Sequence, residues 1–116
     1  MSYFIVLLRY SNVNIKDITE SEYKFMVTNV MNWAMKFDKY RISSGKLEDE
    51  GGITLRMIEN KLSTDGPFCE SKEAIAGFFI FECNEIEDVI KIAKECPILK
   101  MGGTLEIRKM SALTER

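Results

Sequence analysis

The sequence predicts an α+β fold of the ferredoxin-like class, in which an antiparallel sheet carries two helices on one face and the elements follow the order βαββαβ. Two segments, 3–8 and 77–83, are apolar on both alternating faces, which is typical of central strands. Two others, 53–57 and 104–108, alternate apolar and polar residues, as edge strands do. A segment with helical periodicity follows each central strand and completes the ferredoxin-like order.

The first helix is predicted to begin at Thr19. Thr19 and Glu22 have the spacing of a capping box. Apolar residues then recur at intervals of three and four as far as Tyr40, and we interpret this methionine- and aromatic-rich stripe as core packing rather than a cofactor site. The run 43–45, Ser-Ser-Gly, is predicted to end the helix.

The middle of the chain is predicted to hold a hairpin. An acidic connection, 46–52, leads into the strand at 53–57, and Glu-Asn-Lys at 59–61 fits a tight turn into a short partner segment, 62–64. The turn 65–67, Asp-Gly-Pro, then directs the chain towards the central strand.

The second helix is predicted to start at Asn84, which has the capping-box spacing to Glu87. Pro97 ends the helix, because a residue that precedes proline disfavours helical backbone. The last edge strand follows Gly102 and Gly103. We therefore expect one domain, residues 1–110, with a short tail at 111–116.

Composition narrows the possible functions. A hydrophobic content of 46% favours a folded domain, and a formal charge of −2 without any run of Lys or Arg argues against nucleic-acid binding. The apolar start of the chain ends at Arg9, so it is too short for a signal peptide or for a membrane span of about 20 residues. We expect a cytoplasmic protein that does not bind membranes.

The chain contains no histidine, and its three cysteines form no CxxC pair. A zinc site built from cysteine and histidine is therefore not expected, nor is a nucleophile activated by histidine. The thiols are expected to be reduced, and no metal or cofactor is predicted.

The pattern of the central strands predicts a homodimer. Two helices can cover only one face of the sheet, yet both central strands are apolar on both faces. Because a large exposed apolar face is unfavourable in water, we expect the same face of a second copy to cover it.

Nearly the whole chain resembles the DGPF-domain, or YCII-related, family. The resemblance is carried by two blocks of residues: Thr64-Asp65-Gly66-Pro67-Phe68 with Glu70, Lys72, Glu73, Gly77 and Phe78, and Ala93-Lys94-Glu95-Cys96-Pro97 with Gly102, Gly103 and Glu106-Ile107-Arg108. It implies a dimeric α+β barrel whose biochemistry is mostly unassigned. Some relatives are suspected enzymes, and others accompany alternative sigma factors.

The sequence departs from that family at two points. The acidic segment 48–52 is shorter than usual, so one wall of a pocket is in question. Related proteins have been proposed to use a His–Asp pair, which a chain without histidine cannot supply.

Four residues are candidates for a site. Asp65 could act as a catalytic general base, although bonding to its own turn is the more ordinary role of Asp before Gly. Arg9, at the end of a central strand, could bind a ligand or pair with Asp65 or Glu82. Glu70 and Lys72 could bind a polar ligand or form a solvated surface.

Two functions follow as hypotheses. The first is a homodimer with a small-molecule pocket between sheet and helices, lined by Arg9 and Asp65 and capable of cofactor-free acid/base chemistry. The alternative is a non-catalytic dimeric module that partners a regulatory protein such as an alternative sigma factor.

Overall fold

A four-stranded antiparallel sheet is the centre of the fold. The structure, a computed structural model, describes residues 1–9, 19–48, 52–65 and 75–111. Its strands and helices are β1 (Ser2–Arg9), α1 (Glu20–Lys36), β2 (Arg41–Lys46), β3 (Thr54–Ile58), β4 (Lys61–Asp65), β5 (Ile75–Cys83), α2 (Ile86–Ala93) and β6 (Thr104–Lys109). The strand order is β2–β5–β1–β6, while β3 and β4 form a separate two-stranded sheet. The predicted ferredoxin-like α+β fold is confirmed.

The two central strands, β1 and β5, each bury one face beneath the helices. Phe4, Val6 and Leu8 of β1 are at most 4% exposed, and Phe81 of β5 is fully buried. Residues at the alternate positions of both strands are half-buried, such as Ile5, or exposed, such as Tyr3. The core therefore lies between the sheet and the helices, and the second face of the sheet carries no helix in the described part of the chain.

Helix α1 begins as the sequence predicts. The Thr19 hydroxyl accepts a hydrogen bond from the Glu22 backbone N–H at 3.1 Å, and the Glu22 carboxylate accepts from the Thr19 N–H at 3.4 Å. Trp33 lies on the inner face, 4% exposed, and its indole donates to the Ile92 carbonyl at 2.9 Å. This bond connects α1 to α2 inside the core.

The predicted end of the first helix is wrong. Helix α1 ends at Lys36, a short 3₁₀ turn spans Asp38–Tyr40, and the stretch from Arg41 to Lys46 is the edge strand β2. The apolar spacing continues through the 3₁₀ turn, which is why the sequence pattern runs on past the helix. Gly45 fits the strand because a Cβ there would lie 2.7 Å from the Phe78 ring.

The second edge strand is therefore β2 and not the segment near residues 53–57. That segment forms β3, which pairs only with β4, with Met57 opposite Leu62. The predicted tight turn between them is confirmed: Glu59 and Asn60 have φ values of 50° and 68°, as a type I′ turn requires.

Helix α2 starts one residue later than predicted. Glu85 rather than Asn84 is the N-cap, and the Asp88 carboxylate accepts from the Glu85 N–H at 3.1 Å. The helix ends before Pro97, as expected, and Gly102, with φ of 85°, turns the chain into β6. Within the described ranges no helix is long and apolar enough to cross a membrane.

Candidate functional site

A cavity of about 330 Å³ lies between α1 and the β2 side of the sheet. Its volume is within the range of roughly 300–1,000 Å³ that is typical of small-molecule sites. Most of its wall is aliphatic or aromatic. The described residues that line it are Leu8, Val27, Val30, Met31, Ala34, Met35, Arg41, Ser44, Gly45, Lys46, Ala76, Gly77 and Phe79.

The polar side of this cavity comes from β2. The Arg41 guanidinium donates from Nε to the Asp38 carboxylate at 2.9 Å and from Nη1 to the Ser44 hydroxyl at 2.9 Å. A second Arg41 nitrogen, Nη2, reaches the same Asp38 oxygen. Lys46 lies on the same strand, and its ammonium sits 5.2 Å from the centre of the Tyr23 ring. Arg41 is therefore held in a fixed orientation at the cavity wall.

Two glycines bring β2 and β5 close together at this wall. Gly45 pairs with Phe78, and Gly77 pairs with Lys46. A Cβ on Gly77 would lie 2.9 Å from the Gly45 carbonyl oxygen, which belongs to the rigid backbone of the neighbouring strand. Small residues at both positions keep the strands in register and leave the cavity open.

Arg9 does not line the cavity. It lies opposite Thr104 on β6, and its guanidinium pairs with Glu106 at 3.2 Å. Glu106 is thus its ion-pair partner among the described side chains, where the sequence had suggested Asp65 or Glu82. The Arg9 Nε atom is buried and has no hydrogen-bond partner in the described part of the chain.

The other predicted site residues are described in part or not at all. Asp65 is the last residue of β4, opposite Thr54, and its side chain lies outside the described residues. Glu70 and Lys72 also lie outside them. The roles suggested for these three residues stay predictions.

Sequence reasoning missed Arg41 and Ser44, because it assigned this stretch to the end of the helix. The available signal was local: Ser-Ser-Gly is a poor helical sequence, and serine and glycine suit an edge strand that must approach an aromatic ring closely. The apolar stripe predicts that Met31 and Met35 lie on α1 and pack in the core; both lie on α1, but they are 57% and 70% exposed.

The two described cysteines are buried free thiols. Burial raises the pKa of Cys96 to about 11, and burial together with the nearby Asp88 and Glu82 carboxylates raises the pKa of Cys83. Both thiols stay protonated at neutral pH and are poor nucleophiles. Among the described residues, no group of three or more His, Cys, Asp or Glu side chains could hold a metal ion.

Comparison with known proteins agrees with the resemblance seen in the sequence. The family model of the YCII-related domain matches residues 28–113. A similar solved structure is 5-chloro-2-hydroxyhydroquinone dehydrochlorinase from Burkholderia phenoliruptrix in complex with 2,5-dihydroxybenzoquinone. It has a TM-score of 0.53 and 11% identity, and the match covers 94% of this chain and 93% of the dehydrochlorinase, a likeness of fold. No curated protein matches the chain.

Proposed function

The chain belongs to the YCII-related domain family, and we propose that it is a cytoplasmic homodimer that binds a small molecule in the cavity between α1 and β2. The cavity itself carries this proposal. It combines an apolar wall with a few polar groups on one side, which is the usual composition of a small-molecule site.

The polar groups indicate the chemistry of the ligand. Arg41 has five N–H donors, of which three are used on Asp38 and Ser44. The remaining donors suit an acceptor oxygen, and the aliphatic wall suits a ring or a short apolar chain. The ligand class is therefore a small, largely apolar molecule with an acceptor or anionic end at Arg41.

The sheet face opposite the helices supports the homodimer. Ile5 pairs with Ile80, and Leu7 with Phe78, so four apolar side chains meet at the centre of this face. Each is half-buried within one chain. Stacking the same face of a second copy would remove these side chains from water.

Charged and polar side chains border this apolar centre. Glu106 lies between Arg9, at 3.2 Å, and Arg108, at 3.6 Å. At the opposite end, a hydrogen bond and the negative charge of Glu82 raise the pKa of Tyr3. An apolar centre with a polar border is the usual anatomy of a protein interface.

Acid/base chemistry by Asp65 is a separate part of the hypothesis. The described residues that line the cavity include no carboxylate. The proposal is therefore one of ligand binding. Asp65→Asn tests catalysis separately: if the wild type converts a bound ligand, loss of that conversion with unchanged binding of the ligand would assign Asp65 a catalytic role.

Thermal unfolding with small ring compounds that carry acceptor oxygens tests the binding proposal. Suitable probes are 2-naphthoate, benzoate and 2,5-dihydroxybenzoquinone. At 100 times the dissociation constant, a bound probe stabilises the fold by about 2.7 kcal/mol, which raises the melting temperature by several degrees.

Two tryptophan variants of α1 locate the binding. Met31→Trp should fill the cavity and abolish the shift, whereas Phe25→Trp, at a position 69% exposed and outside the lining, should retain it. Equal shifts in both variants would contradict binding in the cavity, and no shift from any probe in the wild type would contradict the proposed ligand class.

A further inference from the structure

The hairpin formed by β3 and β4 has one apolar face that nothing in the described part of the chain covers. Leu55 and Met57 lie on this face, with Leu62 opposite Met57. Their exposures are 62%, 64% and 63%, and Ile53 just before β3 is 74% exposed. A contiguous group of large exposed aliphatic side chains of this kind marks an interaction surface.

The other face of the same hairpin has a different character. Arg56 is opposite Ser63 there, and Thr54 is opposite Asp65. Ile58 lies opposite Lys61, beside the turn. Because successive residues of a strand point to opposite faces, the division between an apolar and a largely polar face is a property of the strand sequence.

The hairpin is not part of the four-stranded sheet. Among the described strands, β3 and β4 pair only with each other, and they make few contacts with the other described elements. An isolated two-stranded hairpin is at best marginally stable in water, so its apolar face needs a partner surface.

We propose that this hairpin is an arm that packs its apolar face (Ile53, Leu55, Met57 and Leu62) against a second copy of the chain. The inference rests on the homodimer of the proposed function and adds a second, distinct contact to it. In a twofold dimer each arm reaches the other protomer, so that every arm contact occurs twice.

Two features favour a second copy as the occupant. The described positions on the apolar face of the arm carry no charged residue, so this face suits an apolar partner surface. The sheet-to-sheet dimer of the proposed function also places a second copy beside each chain. The area also suffices: four large side chains, each more than 60% exposed, present an apolar patch of roughly a few hundred Å² per arm. Two such patches and the surfaces that they cover approach the roughly 1,600 Å² of a standard stable interface.

Neighbouring positions on opposite faces of the arm provide a matched test. Met57→Lys places a charge on the apolar face, and Ile58→Lys places the same charge on the other face, where Ile58 is 52% exposed. Leu62→Lys is a second variant of the apolar face. All three positions are exposed, so the fold should persist, and circular dichroism checks this.

Sedimentation equilibrium over a range of protein concentrations then measures dimer dissociation. We expect Met57→Lys and Leu62→Lys each to raise the dissociation constant at least about tenfold, and Ile58→Lys to change it less than about twofold. In the wild type, hydrogen exchange of residues 54–65 should slow as the protein concentration passes through the dissociation constant.

Other outcomes would contradict the proposed arm contact. If the wild type is a dimer and neither apolar-face variant changes its dissociation constant, the arm contact is refuted but the proposed dimer is retained. A monomeric wild type would refute the dimer of the proposed function as well. A monomer that sediments with phosphatidylcholine vesicles, and loses this binding in Met57→Lys, would assign the hairpin to a lipid surface instead.

Discussion

At the scale of single residues, Trp33 contributes to the core in two ways. Its ring meets Phe79 edge to face, with centroids 5.0 Å apart, and its indole N–H satisfies the Ile92 carbonyl. The ring packing adds about 0.5–1.5 kcal/mol to the burial of the side chain. The hydrogen bond avoids leaving a buried polar group unpaired, which would cost about 1–3 kcal/mol. This residue therefore fixes α1, α2 and β5 relative to one another.

Cys96 should make stability depend on pH in the alkaline range. Burial raises the pKa of its thiol from an ordinary value of 9.0 to about 11, so the folded chain retains a proton that the unfolded chain loses. The contribution is complete below pH 9 and is lost as the pH rises towards 11. We expect the unfolding free energy of the wild type to fall about 1 kcal/mol per pH unit more steeply than that of Cys96→Ala in this window.

Urea unfolding at pH 8, 9 and 10 measures this difference. Val89→Ala is the matched control, because Val89 is fully buried but has no titratable group. It should lower stability by a similar amount at every pH. Identical slopes for the wild type and Cys96→Ala would show that the thiol does not contribute.

At the scale of elements, the pairing of β2 with β5 depends on Gly77. The Cβ of an alanine there would lie 2.9 Å from the Gly45 carbonyl oxygen, and the backbone of β2 cannot move without losing its register. We expect Gly77→Ala to lower the unfolding free energy by about 2 kcal/mol, as overpacking of a tight contact does.

Urea unfolding followed by circular dichroism tests this expectation. Ser43→Ala on the exposed side of β2 serves as the control and should stay within about 0.5 kcal/mol of the wild type. A change of that small size in Gly77→Ala as well would mean that the two strands have room to separate.

Elements whose signals are local could be predicted from the sequence. The Thr19 cap, the turn at Glu59 and Asn60, and the central strands all depend on residues close to one another in the chain. Strand β2 could not be predicted in this way, because its conformation depends on the Phe78 ring and on pairing with β5. The contacts of this segment with β5 therefore determine its strand conformation, although its apolar spacing alone is typical of a helix.

At the scale of the whole molecule, the sequence indicated a pocket between sheet and helix but not which residues line it. Arg9 and Leu8 are neighbours in β1, so they face opposite sides of the sheet, and only Leu8 lines the cavity. This alternation could have been predicted from β1 alone. The contribution of Arg41 could not, because it required knowledge of β2.

Three apolar regions are uncovered within the part of the chain that the structure describes: the α1–β2 cavity, the open face of the sheet and the hairpin arm. Each has its own chemistry. The cavity has polar groups on one side, the sheet face has a charged border, and the described residues of the arm face carry no charge. The first therefore suits a small ligand, and the other two suit protein surfaces.

Methyl NMR of methionine tests most directly whether the cavity is the binding site. Met31 and Met35 line it, whereas Met57 and Met110 lie outside it and are also exposed. With 2-naphthoate as the probe, we expect the methyl signals of Met31 and Met35 to shift in a saturable manner, while those of Met57 and Met110 do not move. Saturable shifts confined to Met57 or Met110, or no shift at Met31 and Met35, would contradict a ligand site between α1 and β2.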